Sequence, residues 1–273
     1  MFRRFAGCLI VTALCSALFS AQVSHSPSSD PGATQAATRL QSSLSALAGG
    51  TPVTDVTLMG IAERISGSDD ETGRATLKAL ATGEESIELM FPSGTRREVR
   101  SGAGATREGH WSAADGVWHS VQEHNLKAEG VWFSPTLLLS QALADKTKAF
   151  QHLGTSVIEG QSLEHIRAHH GSPVIPAKAP EQVARLTQHL TEVDLYLDPV
   201  SALPLKLTFN EHPDNDASRD IPVEIRFSDY RPVNGAQVPF RLQKFINGTL
   251  LLDIRVEQAI LNSNLPASTF TVQ

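Results

Sequence analysis

The chain carries ten histidines, and three of them, His165, His169 and His170, fall close enough together to raise the question of a metal site. On a helix, His165 and His169 would share a face and could chelate one ion. The surrounding residues 163–169 instead read as a strand that follows a Glu159-Gly160 turn. Four residues along a strand span about 13 Å, too far for two ligands at about 2.1 Å from one ion. His170 would point to the opposite face. These histidines are therefore expected on a strand surface, with no metal bound. His110, Trp111, Trp118 and His119 flank an Asp115-Gly116 turn, where aromatic rings can meet across a hairpin. Phe91-Pro92-Ser93-Gly94 reads as a turn rather than a nucleophile elbow. Asp69-Asp70 and Glu84-Glu85 sit in polar surroundings that would leave their carboxyls solvated. Arg96, Arg97 and Arg100 form a small basic edge, read as a solvated strand end. Gly-x-Ser-x-Gly, His-Glu-x-x-His, phosphate-loop and dinucleotide patterns are absent from the sequence. These residues point to a protein that is not an enzyme and needs no cofactor.

The elements that would position such residues are mostly strands. Ile87, Leu89 and Phe91 alternate with polar neighbours, as do Val193, Leu195 and Leu197. The same period of two runs through Leu203, Leu205, Leu207 and Phe209, through Ile221, Val223, Ile225 and Phe227, and through Leu250, Leu252, Ile254 and Val256. Each run describes a strand with one dry and one wet face. Asn234-Gly235 and Asn247-Gly248 are hairpin signals, so sequence neighbours should pair antiparallel in a meander of about ten to thirteen strands. Two helices interrupt the pattern. Asp30 and Pro31 open the first, Ala37, Leu40, Leu44 and Leu47 form its stripe, and Gly49-Gly50 closes it. Ser134-Pro135 opens the second, with Leu138, Leu139, Ala142 and Leu143 as its stripe, widened by Leu137.

Arg3 and Arg4 followed by an uncharged apolar run over 5–19 and a polar exit have the layout of a secretory signal peptide. The run is shorter than the roughly 20 apolar residues that cross a bilayer, which argues against a membrane anchor. Cleavage near residue 21 would remove both cysteines, Cys8 and Cys15, and leave a domain that depends on its apolar core. It would also lower the basic count from 23 to 21 against 29 acidic residues, moving the net charge from −6 to −8. An acidic chain is a poor partner for nucleic acid or for anionic lipid surfaces. The expected organisation is a signal peptide at 1–21, a flexible lead at 22–32 and a single β domain at 33–273. Within it, a helical lid lies near 134–145 and a loop at 171–185.

A 16-residue helix is about 24 Å long, whereas ten strands about 4.8 Å apart span nearly twice that. The apolar face should exceed what two helices can shelter, so the sheet must curl around a greasy hollow or close on itself. The expected architecture is mainly β with a few helices. It is a large curved antiparallel sheet, an open or incomplete barrel, with helices packed in or over its concave face. Candidate ligand contacts are Phe91, Trp118, Trp132, Phe133, Leu137 and Leu138.

The run Asp229-Tyr230-Arg231-Pro232-Val233-Asn234-Gly235-Ala236-Gln237-Val238-Pro239-Phe240 is followed by Asn264-Leu265-Pro266-Ala267-Ser268-Thr269-Phe270. The pair resembles the end of the periplasmic lipoprotein-carrier-like (LolA/LolB-like) superfamily. Leu195-Tyr196-Leu197-Asp198 with Leu203-Pro204 is similar to that family's mid-chain hairpin. The resemblance covers residues 154–272 and implies a nearly closed sheet plugged by helices, acting as a carrier or sensor for acylated molecules. The chain differs from the carriers in its greater length and its Pro-rich loop, and none of their gating residues can be placed on it. The reading is an exported, periplasmic, monomeric protein that holds a lipid or an acylated protein. The alternative is an envelope sensor that acts through a protein partner.

Overall fold

Pro31 opens the first helix, α1 (Pro31–Ala48), and Gly49, with a positive φ of 58°, ends it. Its buried stripe is Ala36, Leu40, Ser43 and Leu47, with Leu44 at the margin. The computed structural model describes residues 31–102, 106–127, 131–171 and 180–272. The expected signal peptide and all but the end of the expected lead lie outside the described residues.

Strands β1 (Asp55–Arg64), β2 (Glu71–Leu80), β3 (Glu85–Phe91), β4 (Gly94–Ser101), β5 (Glu108–Ser112) and β6 (Trp118–Ser120) form a first meander. Helices α2 (Glu123–Leu126) and α3 (Pro135–Ala144) then lead to β7 (Lys148–Ile158) and β8 (Gln161–His170). Helix α4 (Glu181–Leu190) precedes β9 (Val193–Leu197), β10 (Pro204–Glu211), β11 (Ile221–Val233), β12 (Ala236–Ile246) and β13 (Thr249–Leu261). The expected loop at 171–185 is thus helical in its last residues. Its Pro and Ala content hid α4, whose partner is β8.

All strands among the described residues belong to one 13-stranded antiparallel sheet in the order β6-β5-β4-β3-β2-β1-β13-β12-β11-β10-β9-β8-β7. The two meanders join where β1 pairs with β13, and the sheet keeps two edges, β6 and β7. Laid flat, thirteen strands would be about 58 Å wide. The sheet curls instead, so that Asn125, just beyond edge strand β6, hydrogen-bonds the backbone of His212 at the end of β10. The Asn234-Gly235 and Asn247-Gly248 turns hold both residues at positive φ (49° and 89°, 49° and 75°), the conformation a tight hairpin requires. At the junction of the meanders the register shifts between Met59 and Gly60. A Cβ on Gly60 would stand 2.1 Å from the Arg255 carbonyl oxygen, so only glycine admits this bulge.

The dry faces of the strands form one core cluster, which includes Leu58, Leu77, Ile87, Leu207, Ile225, Leu242 and Ile254. Leu40 and Leu47 of α1 and Leu137, Leu138 and Leu139 of α3 complete it. The helices therefore occupy the concave side of an open, curved sheet. The wet face is the outer one. Part of it is covered by the C-terminal segment, where a 3-10 turn (Ala267–Phe270) packs against β3 and β4 with Phe270 fully buried. Asp55 pins this segment. Its carboxylate accepts hydrogen bonds from the Ser263 amide (2.8 Å) and hydroxyl (2.7 Å) and from the Asn264 amide (3.0 Å).

Candidate functional site

The cover of the concave face begins with Val131, Trp132 and Phe133, which are 0, 4 and 0% exposed. The two rings meet edge to face at 5.7 Å. Ser134 occupies the N-cap position of α3 and accepts the Leu138 amide on its carbonyl oxygen (3.0 Å). Its hydroxyl makes no capping bond, so Pro135 at the first position is the stronger start signal. Leu137, Leu138 and Leu139 are all buried. Three consecutive residues span more than one side of a helix, and α3 packs beside α1, which itself lies against β7 and β12. A side-chain tether runs from Gln141 to the Leu80 carbonyl oxygen at 3.3 Å. Beneath the start of α3, the space lined by Val53, Val56, Leu58, Phe133, Val238 and Leu261 is about 10 Å³, no more than a single water needs.

Five of the six residues expected to contact a ligand, Phe91, Trp132, Phe133, Leu137 and Leu138, lie together in this core. Trp118 does not. It pairs with Ser112, which pairs with Arg97, and that register faces outward. Trp118 lines a groove of about 340 Å³ on the outer face with Thr76, Lys78, Glu88 and Arg97 and with Thr269 and Thr271 of the C-terminal segment. Its hairpin neighbours behave as expected, since Trp111 stacks on His119 at 4.5 Å.

Beside the apolar cover, the concave face carries charges: Lys244 and Glu211, which the strand pattern did not single out, and Glu85 and Arg100, which were expected to be solvated and are buried. Lys244 continues the inward series Val238, Phe240, Leu242, and Glu211 continues Leu207 and Phe209. Lys244 Nζ lies 3.0 Å from Glu211 Oε1 and 5.6 Å from the centre of the Trp132 ring. On β4, Arg100 pairs with the buried Glu85 (3.0 Å) and with Glu98 (3.0 Å). Burial opposes the charge on Lys244, yet the Glu211 and Glu98 carboxylates outweigh it and raise its pKa. The Lys244 charge in turn holds Glu211 below the usual carboxylate range. Arg100 is likewise disfavoured by burial but held cationic by Glu98 and Glu85. The concave side thus places an ionic belt next to an apolar bed, an arrangement suited to an amphiphile with a polar head and greasy tail. A charge in step with the dry residues was the available sequence signal for Lys244 and Glu211.

The expected strand histidines fall on β8. His165 stacks on Tyr196 at 4.4 Å and lies 3.2 Å from Asp194, while His170 lies 3.4 Å from Asp145. Each thus has a protein neighbour of its own.

No protein-family model matches the chain, and no curated protein matches it. Solved structures do. A LolA superfamily protein from Nitrosomonas europaea aligns over 87% of this chain and 97% of its own, with a TM-score of 0.53 and 11% identity. The chain has a LolA-like fold. An outer membrane lipoprotein-sorting protein domain from Vibrio parahaemolyticus aligns over the same 87% and 97%, at a TM-score of 0.52 and 10% identity. A DUF1329 family protein from Desulfovibrio piger covers 89% of this chain and 98% of its own, at 0.55 and 14%. At these identities the likeness concerns the path of the backbone. The LolA-like sheet spans nearly the whole of these neighbours, and the plug of helices in it is built from this chain's own residues.

Proposed function

We propose that this chain is a non-catalytic binding or carrier protein of the periplasm. It would hold a lipid or a lipoprotein acyl chain on the concave face once α3 moves aside. One observation carries the reading: α3 is a ten-residue helix with leucines on more than one side, filling the place an acyl chain would take. Each buried methylene is worth about 0.8 kcal/mol, so an acyl chain can replace the leucines of α3 without covalent chemistry. Phe91, Trp132, Phe133, Leu137 and Leu138 would be the ligand contacts, with the Lys244–Glu211 pair beside the head. Trp118 would touch only a ligand in the outer groove. The lipoprotein-sorting domain among the structural neighbours supports the assignment to envelope traffic, as does the signal-like start of the sequence. No described helix is long and apolar enough to cross a membrane.

The test is to extract the purified protein and identify co-purified lipid by mass spectrometry, then titrate a fluorescent fatty acid. Stoichiometric lipid and saturable binding are expected. A lipid-free protein that ignores the probe would overturn the carrier reading. The small space beneath α3 favours, as a second reading, an envelope sensor whose plug is opened by a protein partner. A stoichiometric partner in a pull-down from envelope extracts, with no lipid, would select it.

A further inference from the structure

A separate group of side chains gathers where β10 gives way to β11. His212 follows Glu211 directly, and its side chain is 1% exposed. Both of its ring nitrogens are buried, and neither makes a hydrogen bond. A buried polar atom left in this way costs free energy and calls for a partner. Its Nε2 lies 3.2 Å from Oδ1 of Asp220, the residue before β11. The same carboxylate oxygen lies 2.8 Å from Nε2 of His189, near the end of α4. The two rings stand edge to face at 5.6 Å, and the ligand atoms of all three residues fall within 4.8 Å of one another.

The group is held in place before any ion arrives. The Asn125 side chain accepts the His212 amide (2.9 Å) and donates to the His212 carbonyl oxygen (2.8 Å), fixing that backbone from both directions. His124, on the same turn of α2, lies 3.1 Å from the Pro213 carbonyl oxygen through its Nε2, with its ring 6.0 Å from that of His212. Two imidazole nitrogens and a carboxylate oxygen are a zinc-type donor set, and a tetrahedral ion at about 2.05 Å sets its ligand atoms about 3.4 Å apart. The two histidine–carboxylate separations, 2.8 and 3.2 Å, fall just short of that value, and all three ligand atoms lie within 4.8 Å of one another.

We propose that His189, His212 and Asp220 form a binding site for a divalent transition-metal ion, zinc foremost, with water in the fourth position. The ion would join the end of α4 to the β10–β11 connection and replace a direct histidine–carboxylate contact. It lies outside the apolar cover, so it can hold or fail independently of the lipid reading.

The untagged full chain, stripped with a chelator, is titrated with Zn2+ by calorimetry. One equivalent should bind, and the thermal midpoint should rise. His189→Ala and Asp220→Asn alter half-exposed side chains and spare the buried His212. Each should weaken binding at least tenfold while circular dichroism stays unchanged, and His165→Ala should have no effect. Co2+ in place of Zn2+ should give visible absorption typical of a four-coordinate site. Absence of stoichiometric binding, or equal affinity in His189→Ala, Asp220→Asn and the parent, would overturn the proposal.

Discussion

Leu139→Ala tests whether α3 is a displaceable cover. Leu139 is fully buried in the core cluster. Truncating a leucine at such a position costs about 2–5 kcal/mol. If α3 leaves the sheet to admit a ligand, Leu139 makes its contacts only in the closed form, and the whole cost falls there. Each 1.4 kcal/mol is about tenfold in an equilibrium, so even about 2 kcal/mol raises the open population about 25-fold. Apparent affinity scales with the fraction of binding-competent molecules. The variant should therefore bind a fluorescent fatty acid about 25-fold more tightly, up to the point where the open form predominates. Phe270→Ala is the control, because Phe270 is equally buried but packs with the C-terminal segment on the outer face. It should lower the thermal midpoint by a comparable amount and leave affinity unchanged. Lower midpoints in both variants with no gain in affinity for Leu139→Ala would refute the cover.

Other perturbations test the structural framework. Asp55→Ala removes the acceptor for Ser263 and Asn264, and should cost about 3 kcal/mol and expose the C-terminal segment to limited proteolysis. Burial raises the Asp55 pKa, but the Ser263 and Asn264 donors outweigh this and leave it below 3.8. Its contribution to stability is therefore present above pH 3.8 and fades as pH falls through the lowered value. For the ionic belt, the depressed Glu211 contributes above pH 4.5 and is lost toward acid. The raised Lys244 contributes below pH 10.5 and is lost toward alkali. Thermal midpoints across pH should show a plateau between these limits. In Lys244→Met the acid-side decline should lose its Glu211 component and the alkaline decline its Lys244 component. An unchanged profile would show that the pair is not coupled.

The first helix, the hairpins and the alternation of the strands were legible because each is local. Pro31 and Gly49 punctuate α1, and Asn234-Gly235 and Asn247-Gly248 dictate a positive φ pair. The β6 and α2 region was harder to read, because Trp118 and Trp132 look equally apolar in sequence. The register through Ser112 turns Trp118 to the outer face, whereas Trp132 lies in the core. Helix α4 was missed because the Pro-rich run ahead of it carried the loop reading into its first residues, and its place depends on β8.

The sequence by itself determined a strand-rich chain with one dry face and two apolar helices to set against it, since periods of two and of three to four are written in neighbouring residues. Which charges turn inward, how far the sheet curls and what α3 fills were decided only by the tertiary structure. Val56 meets Leu261 across β1 and β13, and Asn125 reaches His212. Pairings that far apart along the chain leave no local pattern. The same holds for His189, His212 and Asp220, three ordinary positions in sequence that the curl of the sheet places around one point.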